Sequence, residues 1–197
     1  MAPKLQIILP AYNESNSLIS CVEKFHNEFK NSMNQVQLLI VLNGCSDNSY
    51  EICNSLEKKY YGFVKVLNFS KKIGKGGAVI EGFRVATADY ISFADVDCAV
   101  PPSEISKLYK NIENFDGIIG SRHMPGSKIL IRQPLKRRIA GRVFSFLTRM
   151  LMSFKYQDTQ CGGKIFKKEV IKNIIQDIEV KGWAFDVGLL SCAYENG

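Results

Sequence analysis

The stretch that decides the fold is Tyr90-Ile91-Ser92-Phe93-Ala94-Asp95-Val96-Asp97, an apolar run that ends in two aspartates. A short run of aromatic and β-branched residues predicts a buried strand, and the aspartates follow where that strand ends. Two carboxylates two residues apart can share a hard divalent cation that still needs phosphate oxygens to complete its shell. Capping of the helix that Pro101-Pro102 begins is the plainer interpretation, and the pattern alone leaves both in place.

Strand-and-helix units of similar length precede this run. Short apolar runs alternate with longer segments of helical periodicity, an arrangement that indicates a parallel sheet with right-handed crossovers. We predict strands at residues 5–9, 36–42, 63–68 and 89–94, and helices that end near residues 29, 60 and 86. The expected fold class is α/β, a mostly parallel central sheet with helices on both faces. Ligands of such sheets bind at the carboxyl ends of the strands.

Composition limits the class of protein. A length of 197 residues with 46% hydrophobic content fits one globular domain with a sizeable core. No apolar run reaches the length of about 18 residues that a membrane span needs. The first residues lack the layout of a secretory signal, so a cytoplasmic location is expected. Six scattered cysteines and two histidines predict free thiols rather than a zinc site.

Two loops before the aspartates carry residues suited to a nucleotide. Lys71-Lys72-Ile73-Gly74-Lys75-Gly76-Gly77 lies between a strand and a helix, where backbone amides can approach a phosphate closely. Pro10-Ala11-Tyr12-Asn13-Glu14 ends the first strand with an aromatic ring that can flank a base and a carboxylate that can accept from a ribose. The alternative for residues 71–77 is a solvated basic turn. The alternative for residues 10–14 is a turn with a helix cap.

The second half of the chain is strongly basic. Pro101-Pro102 opens a helix predicted to end near residue 114, and residues 117–120 are predicted to form a short strand. Residues 117–157 contain no acidic residue, and the basic ones there are Arg122, Lys128, Arg132, Lys136, Arg137, Arg138, Arg142, Arg149 and Lys155. Together with the net charge of +7, this segment favours an anionic partner.

A basic amphipathic helix is predicted within this segment, beginning at Pro134. Its apolar side carries Ile139, Val143, Phe146, Leu147, Met150 and Leu151, and another side carries Arg138, Arg142 and Arg149. The pattern fits either an ordinary surface helix or an interfacial helix that rests on anionic lipid. The arginines lack the aromatic partners of a recognisable nucleic-acid-binding pattern, so no nucleic-acid partner is expected.

The order of the loops resembles the inverting family 2 glycosyltransferases. Pro-x-Tyr-Asn-Glu follows the first strand, Asn-Gly-x-Ser-Asp-Asn the second, Lys-Gly-Gly-Ala the third and Asp-x-Asp the fourth. Gly120-Ser121-Arg122, the segment from Asp158 to Phe166 and Trp183-Ala184-Phe185-Asp186-Val187 are similar to the dolichyl-phosphate β-glucosyltransferase branch. The dolichyl-phosphate mannosyltransferases are a near second. The resemblance covers about residues 5–195.

This resemblance implies a single nucleotide-sugar-binding domain of the glycosyltransferase A type. Residues 1–97 would be its nucleotide-binding half and residues 98–197 its acceptor half. The implied nucleotide-binding residues are Pro10, Tyr12, Glu14, Asn43, Lys75 and Asp95, and the implied ligands of Mg²⁺ or Mn²⁺ are Asp95 and Asp97. The implied catalytic residues are Asp97, Arg122 and Asp186, and the implied ligands of the acceptor phosphate are Arg122, Arg138, Arg142 and Lys164.

The chain departs from the family pattern at three places. Asn43 stands where the family carries an aspartate, which puts the base preference in doubt because an amide both donates and accepts. Gly188 stands where the family carries a glutamate, which removes one carboxylate near the acceptor. The family usually continues beyond the position of Gly197, often with hydrophobic segments.

The leading hypothesis is transfer of a hexose, with glucose favoured, from a UDP-sugar to a polyprenyl or dolichyl phosphate. A phosphate acceptor is already an anion near neutral pH, so Asp186 either orients the acceptor or assists as a base. We expect peripheral contact with an anionic membrane surface, at its cytoplasmic face. The alternatives are a GDP-mannose-dependent transferase and a degenerate nucleotide- or lipid-binding module. Sugar-nucleotide synthesis is disfavoured because residues 11–14 supply no glycine-rich basic loop.

Overall fold

A computed structural model of the protein describes residues 2–124, 126–127, 158–178, 182 and 184–196. Within these residues one six-stranded sheet has the order β3-β2-β1-β4-β6-β5. The first four strands are parallel, β6 is antiparallel to β4, and β5 is antiparallel to β6. The strands are β1 (Leu5–Ala11), β2 (Val36–Asn43), β3 (Val64–Phe69), β4 (Tyr90–Phe93), β5 (Gly117–Ile119) and β6 (Lys164–Lys167).

Helices cover both faces of the sheet. They are α1 (Leu18–Phe29), α2 (Ser49–Lys59), α3 (Lys75–Val85), α4 (Pro102–Asn111), α5 (Lys168–Ile174) and α6 (Phe185–Glu195), with a short 3₁₀ turn at Met33–Gln35. Side chains alternate across β1, so that Leu5, Ile7 and Leu9 pack in one core with α1, α2 and α4. Ile8 points to the other core, which α3, α5 and α6 cover. The predicted α/β class, with a mostly parallel sheet between two helical layers, is confirmed.

The register brings six loops to one edge of the sheet. Parallel pairing of Ala11 with Leu42, and of Leu42 with Asn68, places the carboxyl ends of β1, β2 and β3 side by side. Phe93 at the end of β4 pairs with Lys164 at the start of the antiparallel β6. The amino end of β6 therefore joins the carboxyl ends of the other five strands.

The predicted elements occur with small shifts at their ends. The helix expected to reach residue 114 ends at Asn111, because the chain turns at Ile112, whose carbonyl accepts from Phe115 N–H at 2.8 Å. Strand β6 was not identified from the periodicity, since four residues of Lys-Ile-Phe-Lys give too short an alternation. The basic helix predicted from Pro134, with Arg138 and Arg142, lies outside the described residues. Among the residues that are described, no helix has both the length and the apolar character that crossing a membrane requires.

Candidate active site

Asp95 and Asp97 lie in the loop after β4, at the edge where the strands end. The loop turns sharply, since Cys98 has a φ of 53° and donates its N–H to the Asp95 carbonyl at 3.0 Å. Asp97 is exposed and accepts one hydrogen bond, from Ala99 N–H to Oδ1 at 2.8 Å. The Asp95 side chain is 36% exposed. Each carboxylate therefore has an oxygen without a partner among the described residues, as the predicted cation site requires.

Lys75 places a positive charge against the first of these aspartates. Its Nζ lies 2.5 Å from Asp95 Oδ1, and the two side chains are 45% and 36% exposed. Lys75 begins α3, and Gly74 before it has a φ of 81°, a conformation that favours glycine. The amino end of α3, where the first backbone N–H groups of a helix have no partner within the helix, thus lies beside Asp95. The predicted phosphate-binding loop and the predicted cation site are adjacent.

An exposed aromatic ring stands on the neighbouring loop. Tyr12 is 42% exposed, and Lys72 Nζ lies 3.8 Å from the centroid of its ring. Asn13 has a φ of 55°, and its Oδ1 accepts from Ser46 N–H at 2.8 Å. The loops after β1 and β2 are therefore held together beneath the ring. A cation against one face of the ring is compatible with a base stacking at this place.

Further hydrogen bonds fix the same two loops. Glu14 N–H donates to Ser49 Oγ at 3.0 Å, and Ser15 N–H donates to Asp47 Oδ2 at 3.1 Å. Hydrogen bonds from Ser49 and Ser15 lower the pKa of Asp47 from 3.8 to about 2. Pro10 lies half-buried in β1 directly before this turn. The predicted nucleoside-binding residues Pro10, Tyr12 and Glu14 thus lie at the end of β1 and in the turn that follows it.

Asn43 has a structural partner that the sequence did not indicate. Asn43 is only 3% exposed, and its Oδ1 accepts a hydrogen bond from Ile73 N–H at 2.6 Å. One lone pair of this oxygen is therefore engaged, while the amide N–H₂ group has no acceptor among the described residues. Gly44 packs under the same loop with a φ of 66°, and a Cβ there would lie 2.6 Å from Lys72 N. Asn43 and Gly44 therefore pack against the basic loop of residues 71–77.

Arg122 lies two residues beyond Gly120, which follows β5 and donates its N–H to Gly163 O at 2.7 Å. Its Nε and Nη2 donate to the two carboxylate oxygens of Asp158 at 2.8 and 2.9 Å, and its backbone N–H donates to Oδ2 at 3.0 Å. Asp158 is fully buried, whereas the Arg122 side chain is 41% exposed. The bidentate pair fixes the plane of the guanidinium and leaves Nη1 without a hydrogen bond to the described residues.

The electrostatics of this pair favour the charged forms of both partners. The hydrogen bond to Asp158 raises the pKa of Arg122. Burial by itself would raise the pKa of Asp158, but the hydrogen bonds from Arg122 outweigh it and hold this pKa below its ordinary value. Sequence reasoning gave Asp158 no role. The available signal was its place at the start of a polar motif beside an arginine-rich segment.

Lys164 and Asp186 form a second buried pair. Lys164 Nζ donates to Asp186 Oδ1 at 2.5 Å and to the Cys161 carbonyl at 2.7 Å. The Lys164 side chain is fully buried and that of Asp186 is 14% exposed. The Lys164 ammonium is closed off from solvent in this position, and its predicted direct contact with an acceptor phosphate stays a prediction. Asp186 lies in the first turn of α6, near the surface of the site.

The loop between Asp158 and Lys164 connects the two sides of the site. A Cβ on Gly162 would lie 3.5 Å from Asp95 Oδ2, so the loop passes directly beside the acidic turn. The described site residues therefore meet at one edge of the sheet, while the predicted phosphate ligands Arg138 and Arg142 lie outside the described residues. In the part of the chain that the structure covers, no three His, Cys, Asp or Glu side chains form a cluster able to hold a metal.

Cys21, Cys45, Cys53, Cys98 and Cys161 are free thiols, as predicted. One pair lies close together, with Cys98 Sγ 3.4 Å from Cys21 Sγ on α1. The hydrogen bond between them, together with burial, raises the pKa of Cys21. This contact packs the turn that carries the aspartates against α1.

Comparison with known sequences gives a family and close relatives. The family model described as Glycosyl transferase family 2 matches residues 6–175. A dolichyl-phosphate beta-glucosyltransferase of Saccharomyces cerevisiae is 30% identical, with 96% of this chain and 62% of the relative covered. The enzyme of the same name from Drosophila melanogaster is 32% identical, with the same coverage of 96% and 62%. This chain therefore spans less than two thirds of these relatives.

Solved structures share the fold at low identity. Glucosyl-3-phosphoglycerate synthase from Mycobacterium tuberculosis in complex with UDP superposes with a TM-score of 0.67 at 16% identity, covering 95% of this chain and 64% of that one. A mannosyltransferase from Pyrobaculum calidifontis in complex with GDP-Man and Mn²⁺ gives 0.61 at 15% identity, covering 87% and 46%. These likenesses confirm the glycosyltransferase A type of fold.

Proposed function

This chain belongs to glycosyl transferase family 2, and we propose that it transfers glucose from UDP-glucose to a polyprenyl or dolichyl phosphate. The observation that carries the proposal is the placement of opposite charges at one edge of the sheet. Two exposed carboxylates end β4, and the oriented guanidinium of Arg122 follows β5. The names of the relatives favour glucose as the sugar and dolichyl phosphate as the acceptor.

The donor diphosphate binds where the acidic turn meets α3. Asp95 and Asp97 would hold Mg²⁺ or Mn²⁺, since partly exposed carboxylates are the ligands these ions prefer and the ion keeps positions for phosphate oxygens and water. When bound, the ion supplies charge neutralisation for the departing diphosphate. Lys75 and the backbone N–H groups at the start of α3 contribute positive potential to the same phosphates.

The nucleoside lies against the turn after β1. The exposed ring of Tyr12 provides a stacking surface, and the carboxylate of Glu14 can accept hydrogen bonds from the ribose. Asn43 offers its N–H₂ group, which has no acceptor among the described residues, while its oxygen accepts from Ile73 N–H. A donor at this position suits a carbonyl oxygen of the base, and uracil has two of them.

The acceptor phosphate lies on the other side of the sugar. Arg122 presents Nη1 and thereby orients an anionic oxygen toward the anomeric carbon. This oxygen forms the new bond to the carbon while the bond to the diphosphate oxygen breaks, and the bonding electrons leave with UDP. Displacement from the opposite face inverts the configuration to a β-linked sugar phosphate. Asp186 orients the acceptor or assists as a base.

The basic segment completes the acceptor side in this proposal. Arg138 and Arg142 would contact the lipid phosphate and the anionic surface of a membrane, whose cytoplasmic face is the proposed location. No nucleic acid is proposed as a partner. Liposome flotation with and without anionic lipid tests this contact, and equal binding to neutral vesicles contradicts it.

Substitution of Asp97 tests the donor side. Asp97→Ala should lower glucose transfer to dolichyl phosphate in Mn²⁺ by about a hundredfold or more, the order of loss seen when a transition-state charge loses its partner. Asp116→Ala is the matched control, because this exposed aspartate lies at the opposite edge of the sheet and contacts only Lys167 among the described residues. Full activity of Asp97→Ala would contradict the cation assignment.

A panel of donors tests the sugar and the base. Thermal-shift titration with UDP and GDP, followed by transfer assays with UDP-glucose and GDP-mannose, should show stabilisation and turnover with the uridine compounds. Preference for the guanosine compounds would establish the mannosyltransferase alternative. Binding without turnover of any nucleotide sugar would establish the degenerate module, which the glycine at position 188 motivates.

A further inference from the structure

Lys164 is a charged side chain enclosed within the protein beside the active-site edge. Its side chain is fully buried, and its Nζ lies 5.3 Å from the centroid of the Phe93 ring. It opens β6, opposite Phe93 on β4 and Ile119 on β5. A phosphate cannot reach an ammonium in this position without displacing the residues around it.

Burial of an ammonium is unfavourable unless hydrogen bonds and an opposite charge compensate it. Lys164 has both, because its Nζ donates to the Cys161 carbonyl at 2.7 Å and to Asp186 Oδ1 at 2.5 Å. Asp186 also lies in the first turn of α6, where the helix dipole favours a negative charge. The two residues therefore hold each other in fixed positions.

The two oxygens of Asp186 are used differently. Oδ1 is bound by Lys164, whereas no described residue donates a hydrogen bond to Oδ2. The Asp186 side chain is 14% exposed, so it is not fully enclosed. Lys164 therefore holds one oxygen, and the other has no donor among the described residues.

We infer that Lys164 is a positioning residue that holds Asp186 for the acceptor, and that it does not itself bind the acceptor phosphate. The inference rests on the proposed function, because it gives Asp186 its task in that reaction. A positioning role predicts loss of turnover, since a misplacement of about 1 Å can cost about a hundredfold in rate. A direct phosphate ligand would instead weaken acceptor binding.

The test compares four variants of the full chain: Lys164→Met, Asp186→Asn, the double variant and Lys167→Met. Methionine keeps the length of the lysine stem without its charge. Lys167 is the matched control, because it ends the same strand, is 32% exposed and pairs with Asp116 at the opposite edge. The kcat for glucose transfer and the KM for dolichyl phosphate are measured for each.

We expect Lys164→Met and Asp186→Asn each to lower kcat by about tenfold or more, while the KM for dolichyl phosphate stays within about threefold. The double variant should lose no more than either single variant, because both substitutions remove the same interaction. Lys167→Met should behave as the native chain. If Lys164→Met fails to fold because it leaves a lone buried carboxylate, the double variant, which has no such charge, still supplies the comparison.

Two results would overturn the inference. A raised KM for dolichyl phosphate at unchanged kcat in Lys164→Met would make the lysine a phosphate ligand. Native turnover in the double variant would make the pair purely structural. Failure of the proposed function is a different result, in which the native chain transfers no glucose to dolichyl phosphate. In that case the rate of UDP-glucose hydrolysis is measured for the same variants. Equal rates in all of them would also refute the positioning role.

Discussion

Disruption of the Arg122–Asp158 pair should have unequal consequences for stability, depending on which partner is replaced. Asp158 is fully buried and the Arg122 side chain is 41% exposed. Removal of the arginine side chain leaves a buried carboxylate, whose remaining donors among the described residues are Arg122 N–H at 3.0 Å and Gln160 N–H at 3.2 Å. Replacement of the aspartate leaves a guanidinium that water can still solvate.

The magnitudes follow from this difference in exposure. Loss of one partner of a buried ion pair costs about 3–5 kcal/mol of stability. Because two backbone donors still bind the carboxylate, we expect Arg122→Met to destabilise the chain by about 3 kcal/mol, the lower end of this range. Asp158→Asn keeps the shape but replaces a charge-assisted hydrogen bond, which costs about 1.5–3 kcal/mol. The expected order is therefore Arg122→Met less stable than Asp158→Asn, and both less stable than the native chain.

The pH dependence gives a second measurement of the same pair. Because the pKa of Asp158 is lowered in the folded state, its contribution is fully present above the ordinary carboxyl pKa and is lost as the pH falls through the lowered value. The native chain should therefore lose stability on acidification that Asp158→Asn does not lose. The difference in free energy of unfolding between the native chain and Asp158→Asn should narrow as the pH falls below about 4.

Urea unfolding followed by circular dichroism from pH 7 to acid measures both effects. Glu104→Gln serves as the control, because its pair with Lys107 is 49% and 68% exposed and should contribute less than about 1 kcal/mol. A larger loss for Asp158→Asn than for Arg122→Met, or losses below about 1 kcal/mol for both, would refute the assignment of a buried carboxylate.

Three further substitutions test the loops and the core. Gly44→Ala should weaken UDP binding in calorimetry and destabilise the chain more than Gly62→Ala, since both have positive φ but only a Cβ at Gly44 meets backbone, at 2.6 Å. Gly82→Ala should cost about 1–3 kcal/mol in urea unfolding, because its Cβ would lie 2.6 Å from Ile8 Cγ2. Asp47→Asn should flatten the acid dependence of stability between pH 4 and 2, because the folded chain lowers the pKa of this carboxyl to about 2 and loses its contribution as the pH falls through that range.

The donor side of the site could be predicted from sequence because its parts are local. Each loop follows a strand whose apolar run is visible, and parallel strands bring their carboxyl ends to one edge. Tyr12, Asn43, Ser70-Lys71-Lys72 and Asp95 are therefore expected near one another. The ion pair between Lys75 and Asp95 is the direct result of that topology.

The acceptor side could not be predicted to the same depth because its pairs are long-range. Arg122 and Asp158 are 36 positions apart, and Lys164 and Asp186 are 22 apart. Both pairs depend on the antiparallel strand β6, which is too short for its periodicity to be read. The family resemblance implies a phosphate contact for Lys164, whereas the burial of its side chain cannot be read from the sequence pattern.

The two ion pairs at the site edge are suited to different tasks. The Lys75–Asp95 pair is exposed at both ends, so its opening costs at most about 1 kcal/mol, and a cation bound by Asp95 would release the ammonium beside the phosphates of the donor. The Arg122–Asp158 pair has one end fully buried, so it stays closed and keeps the guanidinium in one plane. A donor site has to exchange its charges in each catalytic cycle as nucleotide enters and leaves. An acceptor site has to hold one orientation, because displacement in line with the leaving group tolerates little error in the position of the nucleophile.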